Sequence, residues 1–438
     1  MALLYETVPT FEDTWIECLG DLGRYRMAIE DDDIRDREVW TGVARHWYSK
    51  ASDKAPTTGR LYHHLAILAR PNALQQLFYY SKSLCVAVPF TSARESILTL
   101  FEPVLNSDNG QGQYRLPPLD TAFVKAHGLL FTNRDMQRFE PTVKEFLGLL
   151  DNQIGRVTRK FMEQGYHIAI ANSVAMLSFA SKDNILMKAL LPSPKEGEDV
   201  QMIGDSSSVS PQLLVTFHHA QNLANSTADI VLQRIGDPNV LPFIHVTLVF
   251  MLFMARRPAA MEYLQAEFPW ERLSTMLNTL FSHKDQSQKE DGPSQKDRIQ
   301  KEDFPQPDKK DDARPFPEDF AMRGLLWAEN YFPDKWFIQE KTDEEEKYHE
   351  RASMTAQRKE RILWLAYRIA SLGSWITFDG NKFSAHSTTP SRTPTFASAT
   401  TASSRTGTWE SQDADLSEAE EDLSSPTAML AAGTTSHD

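Results

Sequence analysis

The chain of 438 residues is long enough for two packed units with tails, since domains usually comprise about 100–200 residues. Hydrophobic residues make up 41 % of it and Trp occurs nine times, so the sequence can build a large core. The formal net charge of −14 excludes a surface that attracts nucleic acid as a whole, because Lys and Arg supply that affinity. A nucleic-acid site must therefore be a local basic patch.

Residues 1–105 are predicted to form a first block of helices. Within it, Ala44, Tyr48, Ala51 and Pro56 follow the spacing Ala-x3-Tyr-x2-Ala-x4-Pro, which is typical of the second helix of a tetratricopeptide unit. Small residues let two helices approach closely, an aromatic ring fills the groove between them, and a proline ends the helix.

The helix after Pro56 continues this pattern, because Tyr62, Leu65 and Ala66 stand where the next unit begins. The spacing favours tetratricopeptide-like stacking of helix pairs, which builds concave surfaces suited to peptides and protein partners. The alternative is an ordinary amphipathic hairpin whose spacings match by chance.

A linker at 106–118 leads to a second region, 119–282, which is predicted to be a domain of helical hairpins. Its helices are expected where apolar residues recur at three- and four-residue spacing. These predicted helices cover 119–147, 149–180, 212–234, 239–256 and 269–282.

The most apolar stretch of the chain is Val240–Ala255. It is short for a membrane span and contains His245, so a buried helix is expected. The N-terminus has no basic region followed by a long apolar core, and no signal peptide is predicted. We therefore expect no membrane partner.

Two segments are poor in aliphatic residues and are predicted to be disordered. In 283–317 charge and Gln dominate, so the segment cannot bury enough surface to offset the entropy of ordering. Residues 386–438 are rich in Ser and Thr around an acidic patch, DADLSEAEEDLSS. Between them, 318–385 is predicted to be the C-terminal helical part of the hairpin domain, with a strong helix at 345–372 and a turn between short extended pieces at 377–385. The predicted fold class is all-α.

Several stretches together resemble one known family. They are CLGDLGRYR (18–26), ARHWYSKASDKAPTTGRLYHHLAILA (44–69), FYYSKSLCVAVPFTSARESILTLFE (78–102), FVKAHGLLFT (123–132), HVTLVFMLFMARRPAAM (245–261), EFPWERLSTMLNTL (267–280) and PEDFAMRGLLW (317–327). The chain thus resembles the ever-shorter-telomeres/SMG family of telomerase-associated proteins and nonsense-mediated mRNA decay factors over most of residues 15–385. The matches around 245–280 look especially like its filamentous-fungal branch.

The resemblance implies a 14-3-3-like domain with tetratricopeptide features, followed by stacked α-α hairpins in a superhelical arrangement. The Arg-Tyr of the family's Gly-Asp-x-x-Arg-Tyr segment lies where 14-3-3 proteins hold a phosphoserine, which implicates Arg24 and Tyr25, with Arg26 assisting from the rim. A planar guanidinium can bind phosphate bidentately, and a neighbouring phenol can donate another hydrogen bond. The alternative is that Arg24 simply pairs with Asp21 at i,i+3 on a solvated helix face.

Two departures from the family pattern affect this phosphate site. Family members often have Asn in the helix after the tetratricopeptide proline, where this chain has His63 and His64. The chain also starts just ahead of the Gly-Asp-x-x-Arg-Tyr helix, whereas earlier helices of the family supply further basic residues to the pocket. We therefore expect either an N-terminally truncated chain or an incomplete pocket.

A local basic cluster is formed by Arg156, Arg159 and Lys160, which are predicted to lie on one helix, with Arg156 and Lys160 sharing a face at i,i+4. Arg256 and Arg257 end another helix. Since the family is described as DNA/RNA-binding, these are the candidates for contacts with RNA or telomeric DNA. The alternative is a solvated helix face, and the acidic balance argues against a strong independent affinity for RNA.

The sequence contains no motif of an enzyme or a metal site. Cys18 and Cys85 are far apart and have no second Cys nearby, so neither a disulfide nor a zinc site is expected. Adjacent histidines such as His63 and His64 diverge on a helix and cannot chelate one metal, so they are expected to be structural or surface residues. No enzymatic activity, metal, cofactor or small-molecule substrate is predicted.

Together these features predict a non-catalytic adaptor of nonsense-mediated mRNA decay or telomere maintenance, in the nucleus or shuttling to the cytoplasm. The resemblance implies that its partner is a phosphorylated protein, the decay helicase, together with other decay or telomerase proteins. Two alternatives stay open: a direct binder of telomeric DNA or telomerase RNA, and a tetratricopeptide scaffold indifferent to phosphate.

Overall fold

A computed structural model describes residues 2–30, 32–106, 116–190, 210–281, 294–307, 314–338 and 347–386. These residues form helices joined by turns and one two-stranded hairpin, and all of them belong to one compact unit. The all-α fold class is confirmed.

The first helices pack against their neighbours in the chain. They are α1 (Ala2–Thr7), α2 (Glu12–Ile29), α3 (Ile34–Lys54), α4 (Gly59–Leu68), α5 (Ala73–Leu84), α6 (Ala93–Ser96) and α7 (Leu98–Leu105). Helices α2 and α3 run antiparallel, with Gly20 facing Tyr48 and Gly23 facing Ala44. Asp33 begins α3 by accepting a hydrogen bond from the amide of Arg35 (2.8 Å), and Asn72 caps α5 in the same way. A small core of its own joins α2, α3 and α4.

The middle helices surround the larger core. They are α8 (Pro118–Thr132), α9 (Phe139–Val157), α10 (Lys160–Met176), α11 (Ile185–Ala189), α12 (Pro211–Leu232), α13 (Leu241–Ala255), α14 (Pro258–Leu264) and α15 (Trp270–Leu280). The predicted bounds 119–147 and 149–180 were wrong, because the chain turns after Thr132 and again after Val157. Asn133 and Thr158 have positive φ angles of 51° and 49°, and a right-handed helix cannot continue through such a residue.

The last described elements are α16 (Gln295–Gln300), α17 (Pro317–Met322), α18 (Ala352–Leu372), β1 (Ile376–Phe378) and β2 (Phe383–Ala385). The two strands pair antiparallel, with Ile376 opposite Ala385, so the predicted turn between extended pieces is confirmed. Helix α18 starts later than the predicted residue 345.

Helix α16 lies inside the segment 283–317 that was predicted to be disordered, and for residues 294–307 that prediction was wrong. Ile299 is fully buried, and the indole of Trp364 donates to the carbonyl of Lys301 (2.9 Å). One buried aliphatic residue and one hydrogen bond from Trp364 thus help to anchor a largely polar helix. The prediction was also wrong for residues 314–317, because Phe316 is fully buried and α17 begins at Pro317. Residues 283–293 and 308–313 lie outside the described residues, as does the predicted tail from residue 387 onwards.

The apolar helix α13 is a core helix. Together with the preceding turn, Pro238–Ala255 is long and apolar enough to cross a membrane, so the expectation that it is too short was wrong. It is burial that identifies its role, because 78 % of this stretch is enclosed by the rest of the protein. It packs against α10 and α18 at the centre of the larger core.

Residues in and just after α17 contact the first helices. The amide of Leu326 donates to the carbonyl of Cys85 (3.0 Å), and Lys82 Nζ donates to the carbonyl of Phe320 (3.1 Å). Gly324 lies against the carbonyl group of Pro56, where any side chain would collide. The N-terminal helix pairs and the C-terminal segment therefore hold each other in place.

A buried ion network fastens α17 to α18. Arg358 on α18 contacts both carboxylate oxygens of Glu318, with Nε 2.5 Å from Oε1 and Nη2 3.1 Å from Oε2. The imidazole of His245 lies 3.0 Å from the same carboxylate. Next to it, Arg361 pairs with Asp319 (2.7 Å). These side chains have almost no exposed surface, so each charge depends on its partner.

Candidate functional site

Helix α2 carries the Gly-Asp-x-x-Arg-Tyr segment and turns Arg24 toward α3. Arg24 Nε donates a hydrogen bond to the phenol oxygen of Tyr48 (3.2 Å), and Nη2 donates to Oδ1 of Asp21 (3.2 Å). Tyr48 donates its own proton to the same carboxylate (2.6 Å). Arg24 therefore belongs to a triad with Asp21 and Tyr48, while 21 % of its side chain stays exposed. The i,i+3 pair that was the alternative to phosphate binding is present.

The surroundings keep this triad in one charge state. Burial raises the pKa of Tyr48, and the hydrogen bond to Asp21 raises it further, so the phenol stays protonated and acts as a donor. Burial by itself lowers the pKa of Arg24, but the bonds to Tyr48 and Asp21 outweigh burial and raise it. Arg24 is therefore a permanent cation whose present counterion is Asp21.

Tyr25 and Arg26 occupy different positions relative to Arg24. Tyr25 is 57 % exposed, and its ring centroid lies 4.6 Å from the guanidinium carbon of Arg24. Arg26 instead pairs with Glu30 (2.6 Å) and faces the ring of Trp40. The structure thus brings Tyr25 to Arg24 and leaves Arg26 on another face of the helix.

Two histidines of α4, His63 and His64, lie beside the triad, in the region where the resemblance had placed them as a departure at the phosphate site. The ring of His64 stacks on Tyr48 with 4.7 Å between centroids, and His63 Nε2 is 2.9 Å from the hydroxyl of Ser96. Burial lowers the pKa of both histidines and the charge of Arg24 lowers it further, to about 4 for His64. Both imidazoles are therefore neutral at pH 7.

The helix-packing residues of α3 lie at its contact with α2. Ala44 is fully buried, and a Cβ added to Gly23 would come within 3.1 Å of its methyl group. A Cβ on Gly20 would lie 2.9 Å from the ring of Tyr48. Helices α2 and α3 approach this closely only because the facing residues lack bulk, and this approach places the Tyr48 hydroxyl within reach of Arg24.

The contact with α4 involves the remaining residues of the pattern. Ala51 and Tyr62 are buried. The hydroxyl of Tyr62 donates to the carbonyl of Pro56 (2.8 Å), just after α3 has ended at Lys54. Pro56 is thus part of the turn that directs α4 back along α3.

The basic residues Arg156 and Lys160 do not share a helix, contrary to the prediction. Helix α9 ends at Val157, and α10 begins at Lys160 after Thr158, which has a positive φ. The i,i+4 relation therefore does not place Arg156 and Lys160 on one helix face.

The turn nevertheless leaves all three basic side chains exposed. Arg156 donates to the amide oxygen of Gln153 (2.7 Å), and Arg159 donates to the backbone carbonyl of Glu350 (2.8 Å). None of these contacts neutralises a charge. The turn between α9 and α10 is therefore a small cationic surface.

Within the described ranges, no group of three or more His, Cys, Asp or Glu side chains is placed so that it could hold a metal ion. Cys18 and Cys85 are both free. Burial raises the pKa of the Cys85 thiol to about 12, which makes this sulfur a poor nucleophile.

Antiparallel helix pairs that nest through small residues and continue into further hairpins define a helical scaffold of the repeat type. The sequence model of a family described as the Est1 DNA/RNA binding domain matches residues 44–332, which is more than half of the chain. The chain belongs to this family, and the resemblance found in the sequence is confirmed. Assignment to the fungal branch stays a prediction.

Individual relatives match over shorter shares of their length. Telomerase-binding protein EST1A of Danio rerio is 41 % identical over 87 residues, 19 % of this chain and 5 % of that protein. Nonsense-mediated mRNA decay factor SMG7 of Danio rerio is 24 % identical over 316 residues, 70 % of this chain and 23 % of that protein. The chain therefore matches less than a quarter of the length of these curated relatives.

A solved structure shares the fold. The chain matches a structure titled "Crystal structure of Est1 and Cdc13" with a TM-score of 0.56 and 10 % identity, over 85 % of this chain and 71 % of that one. The shared architecture is therefore retained where little sequence identity is left.

Proposed function

We propose that this chain is a non-catalytic adaptor of nonsense-mediated mRNA decay or telomere maintenance that binds a phosphorylated protein segment at Arg24. The observation that carries the proposal is a permanently charged guanidinium, held by Tyr48 and partly exposed, in a chain of the Est1 DNA/RNA binding domain family. The names of the relatives, a telomerase-binding protein and a decay factor, support the two processes. Both would place the adaptor in the nucleus, with shuttling to the cytoplasm.

A phosphate can replace Asp21 as the counterion of Arg24 at small energetic expense. The Arg24–Asp21 contact is a partly exposed pair at i,i+3, and such pairs contribute only about 0.3–0.5 kcal/mol. Two donors of the guanidinium are engaged, at Nε and Nη2, so others remain for a phosphate. Tyr25 is exposed and its ring lies beside the guanidinium, so its phenol can supply a further donor.

The test is binding of a fluorescent phosphoserine peptide of the decay helicase and of the same peptide without phosphate, followed by anisotropy. We expect the phosphopeptide to bind at least about tenfold more tightly, since a charge-assisted bidentate bond exceeds 1.4 kcal/mol. Arg24→Glu should abolish this preference, and Arg24→Lys should weaken it because an ammonium cannot bind bidentately. Lys144→Glu, an exposed reversal on α9, is the matched control.

Equal binding of the two peptides to the unchanged chain would contradict phosphate recognition. If both peptides bind tightly, the phosphate-independent scaffold becomes the correct description. The decay helicase is excluded as the partner, separately from phosphate recognition, if other phosphoserine peptides bind and the helicase peptide does not.

A second candidate function is direct binding of RNA or telomeric DNA at the turn between α9 and α10. The side chains of Arg156, Arg159 and Lys160 support it, because they are exposed and form no ion pair within the described ranges. Affinity for a single-stranded oligonucleotide should then fall log-linearly with salt, with a slope that decreases in Arg156→Glu and Lys160→Glu. If the affinity for the oligonucleotide does not change in these variants, this surface is excluded as the nucleic-acid contact.

A further inference from the structure

A cleft of about 390 Å³ lies at the C-terminal end of α13, where the segment around Trp327 packs against this helix. Its floor is apolar, since Val249, Leu252 and Trp327 line it and are otherwise buried in the core. Phe253 forms part of the wall and is half-buried. A concave apolar surface of this size can accommodate one large side chain of a ligand.

Two guanidinium groups stand at the rim of this cleft. Arg256 is exposed and directly follows α13. Arg257 is held in position, because its Nη1 donates to the carbonyl of Phe253 (2.8 Å) and its guanidinium carbon lies 3.7 Å from the centre of the Phe253 ring. A cation fixed in this way loses little conformational entropy when it binds a ligand.

The charges of Arg256 and Arg257 are not compensated within the described ranges, where neither guanidinium has a carboxylate in ion-pair contact. Burial lowers the pKa of Arg257, and repulsion from Arg256 lowers it further, which shows that the two cations act on each other. An anionic group placed between them would relieve this repulsion. The acidic chain thus presents an apolar cleft with a cationic rim.

We infer that this cleft is a docking site for a protein segment in which an aromatic or aliphatic side chain is flanked by carboxylates. The apolar side chain lies on the floor beside Trp327, and the carboxylates meet Arg256 and Arg257. Nucleic acid is the less suitable occupant, because its affinity grows with the number of phosphates neutralised, and two arginines beside an apolar floor offer few such contacts. The site is distinct from Arg24 and lies beyond the proposed phosphate recognition.

The inference is tested by selection from a phage library of random peptides on the immobilised full chain. The selected peptides should be enriched in Asp and Glu next to an aromatic or aliphatic residue. Synthetic versions should bind the double variant Arg256→Glu/Arg257→Glu at least about tenfold more weakly, since two charge-assisted contacts become repulsive. Asn330→Trp fills the rim of the cleft without changing charge and should also weaken binding at least about tenfold.

The matched control is Arg134→Glu/Lys144→Glu, which changes the net charge equally at exposed positions elsewhere and should leave peptide binding unchanged. Arg24→Glu should also leave it unchanged, so failure here is distinguishable from failure of phosphate recognition. The inference is overturned if the peptides lack acidic enrichment, or if they bind the double variant or the Asn330→Trp variant as tightly as the unchanged chain. It is equally overturned if no peptide is selected, and in that case loss of polyuridine affinity in the double variant would identify the cleft as a nucleic-acid contact instead.

Discussion

Replacing Arg358 with Met removes the centre of the buried ion network and is expected to destabilise the protein severely. The guanidinium is fully buried, contacts both oxygens of Glu318, and also pairs with Glu350 through Nη1 (2.8 Å) and Nη2 (3.0 Å). Met retains much of the apolar stem but no donor. Glu318, which has no exposed surface, would then keep His245 as its one polar side-chain partner among the described residues.

The magnitude follows from the charge that is left behind. Removing one partner of a buried ion pair costs about 3–5 kcal/mol, because the other charge stays without compensation. Since Arg358 serves two carboxylates, we expect a loss of about 4 kcal/mol or more. A domain is usually stable by about 5–15 kcal/mol, so the variant would be close to unfolding.

The pH dependence of this loss has a defined sign. Burial would raise the pKa of Glu318, but the charge of Arg358 and the hydrogen bond of His245 outweigh burial and lower it. The ionised carboxylate therefore stabilises the fold above the unfolded-state pKa of about 4.3, and this contribution is lost as the pH falls toward the lowered folded pKa. Without Arg358 burial dominates, so the difference between variant and unchanged chain should be larger near neutral pH than at about pH 4.5.

The assay is equilibrium unfolding in urea, followed by tryptophan fluorescence. Lys359→Met on the same helix is the control, since this partly buried cation lies outside the ion network. In a double-mutant cycle, Glu318→Gln with Arg358→Met should cost less than the sum of the single changes by at least about 1 kcal/mol. A loss below about 1 kcal/mol for Arg358→Met, or strictly additive effects, would refute the reasoning.

Three further predictions test other parts of the structure. His127 and His167 are buried, and burial lowers the pKa of each to about 3, so only the unfolded chain takes up their protons as the pH falls below 6.5. Between pH 8 and pH 5 the free energy of unfolding should therefore fall by about 2 kcal/mol for each histidine. Urea unfolding at several pH values should show a smaller fall in the His127→Gln and His167→Gln variants. Gly324→Ala should lower the melting temperature strongly, because φ is 86° and a Cβ would overlap with the carbonyl oxygen of Pro56. An unchanged melting curve would mean that this contact does not form. Ala44→Trp should cost about 1–3 kcal/mol or more in urea unfolding by overfilling the contact between α2 and α3, and a neutral effect would argue against close nesting of these helices.

Much of the fold could be predicted because its signals are local. Apolar residues at helical spacing indicated the all-α class, and the positions of Ala44 and Tyr48 relative to each other follow from one helix period. The polar turn at 377–385 likewise carries its own signal, and the hairpin is there. The extended resemblance then indicated the family, which no single motif could have done.

The helix bounds and the small packed segments were harder to predict. The sequence gives no sign that Thr158 will adopt a positive φ, and the break at this residue puts Arg156 and Lys160 on different helices. Helix α16 is polar in composition, but its Ile299 is buried where α16 packs against α18. This segment is therefore ordered because of its packing partner and not because of its composition.

The sequence by itself determined which face of each helix is buried, because the spacing of apolar and small residues is set within a few positions along the chain. Only the tertiary structure decided which polar groups meet. Tyr48 reaches Arg24 from another helix, and Arg358 joins Glu318 from 40 residues away. The physical reason is that a charged side chain is stable inside a protein only beside a partner, and that partner is supplied by the packing of helices that are distant in the sequence.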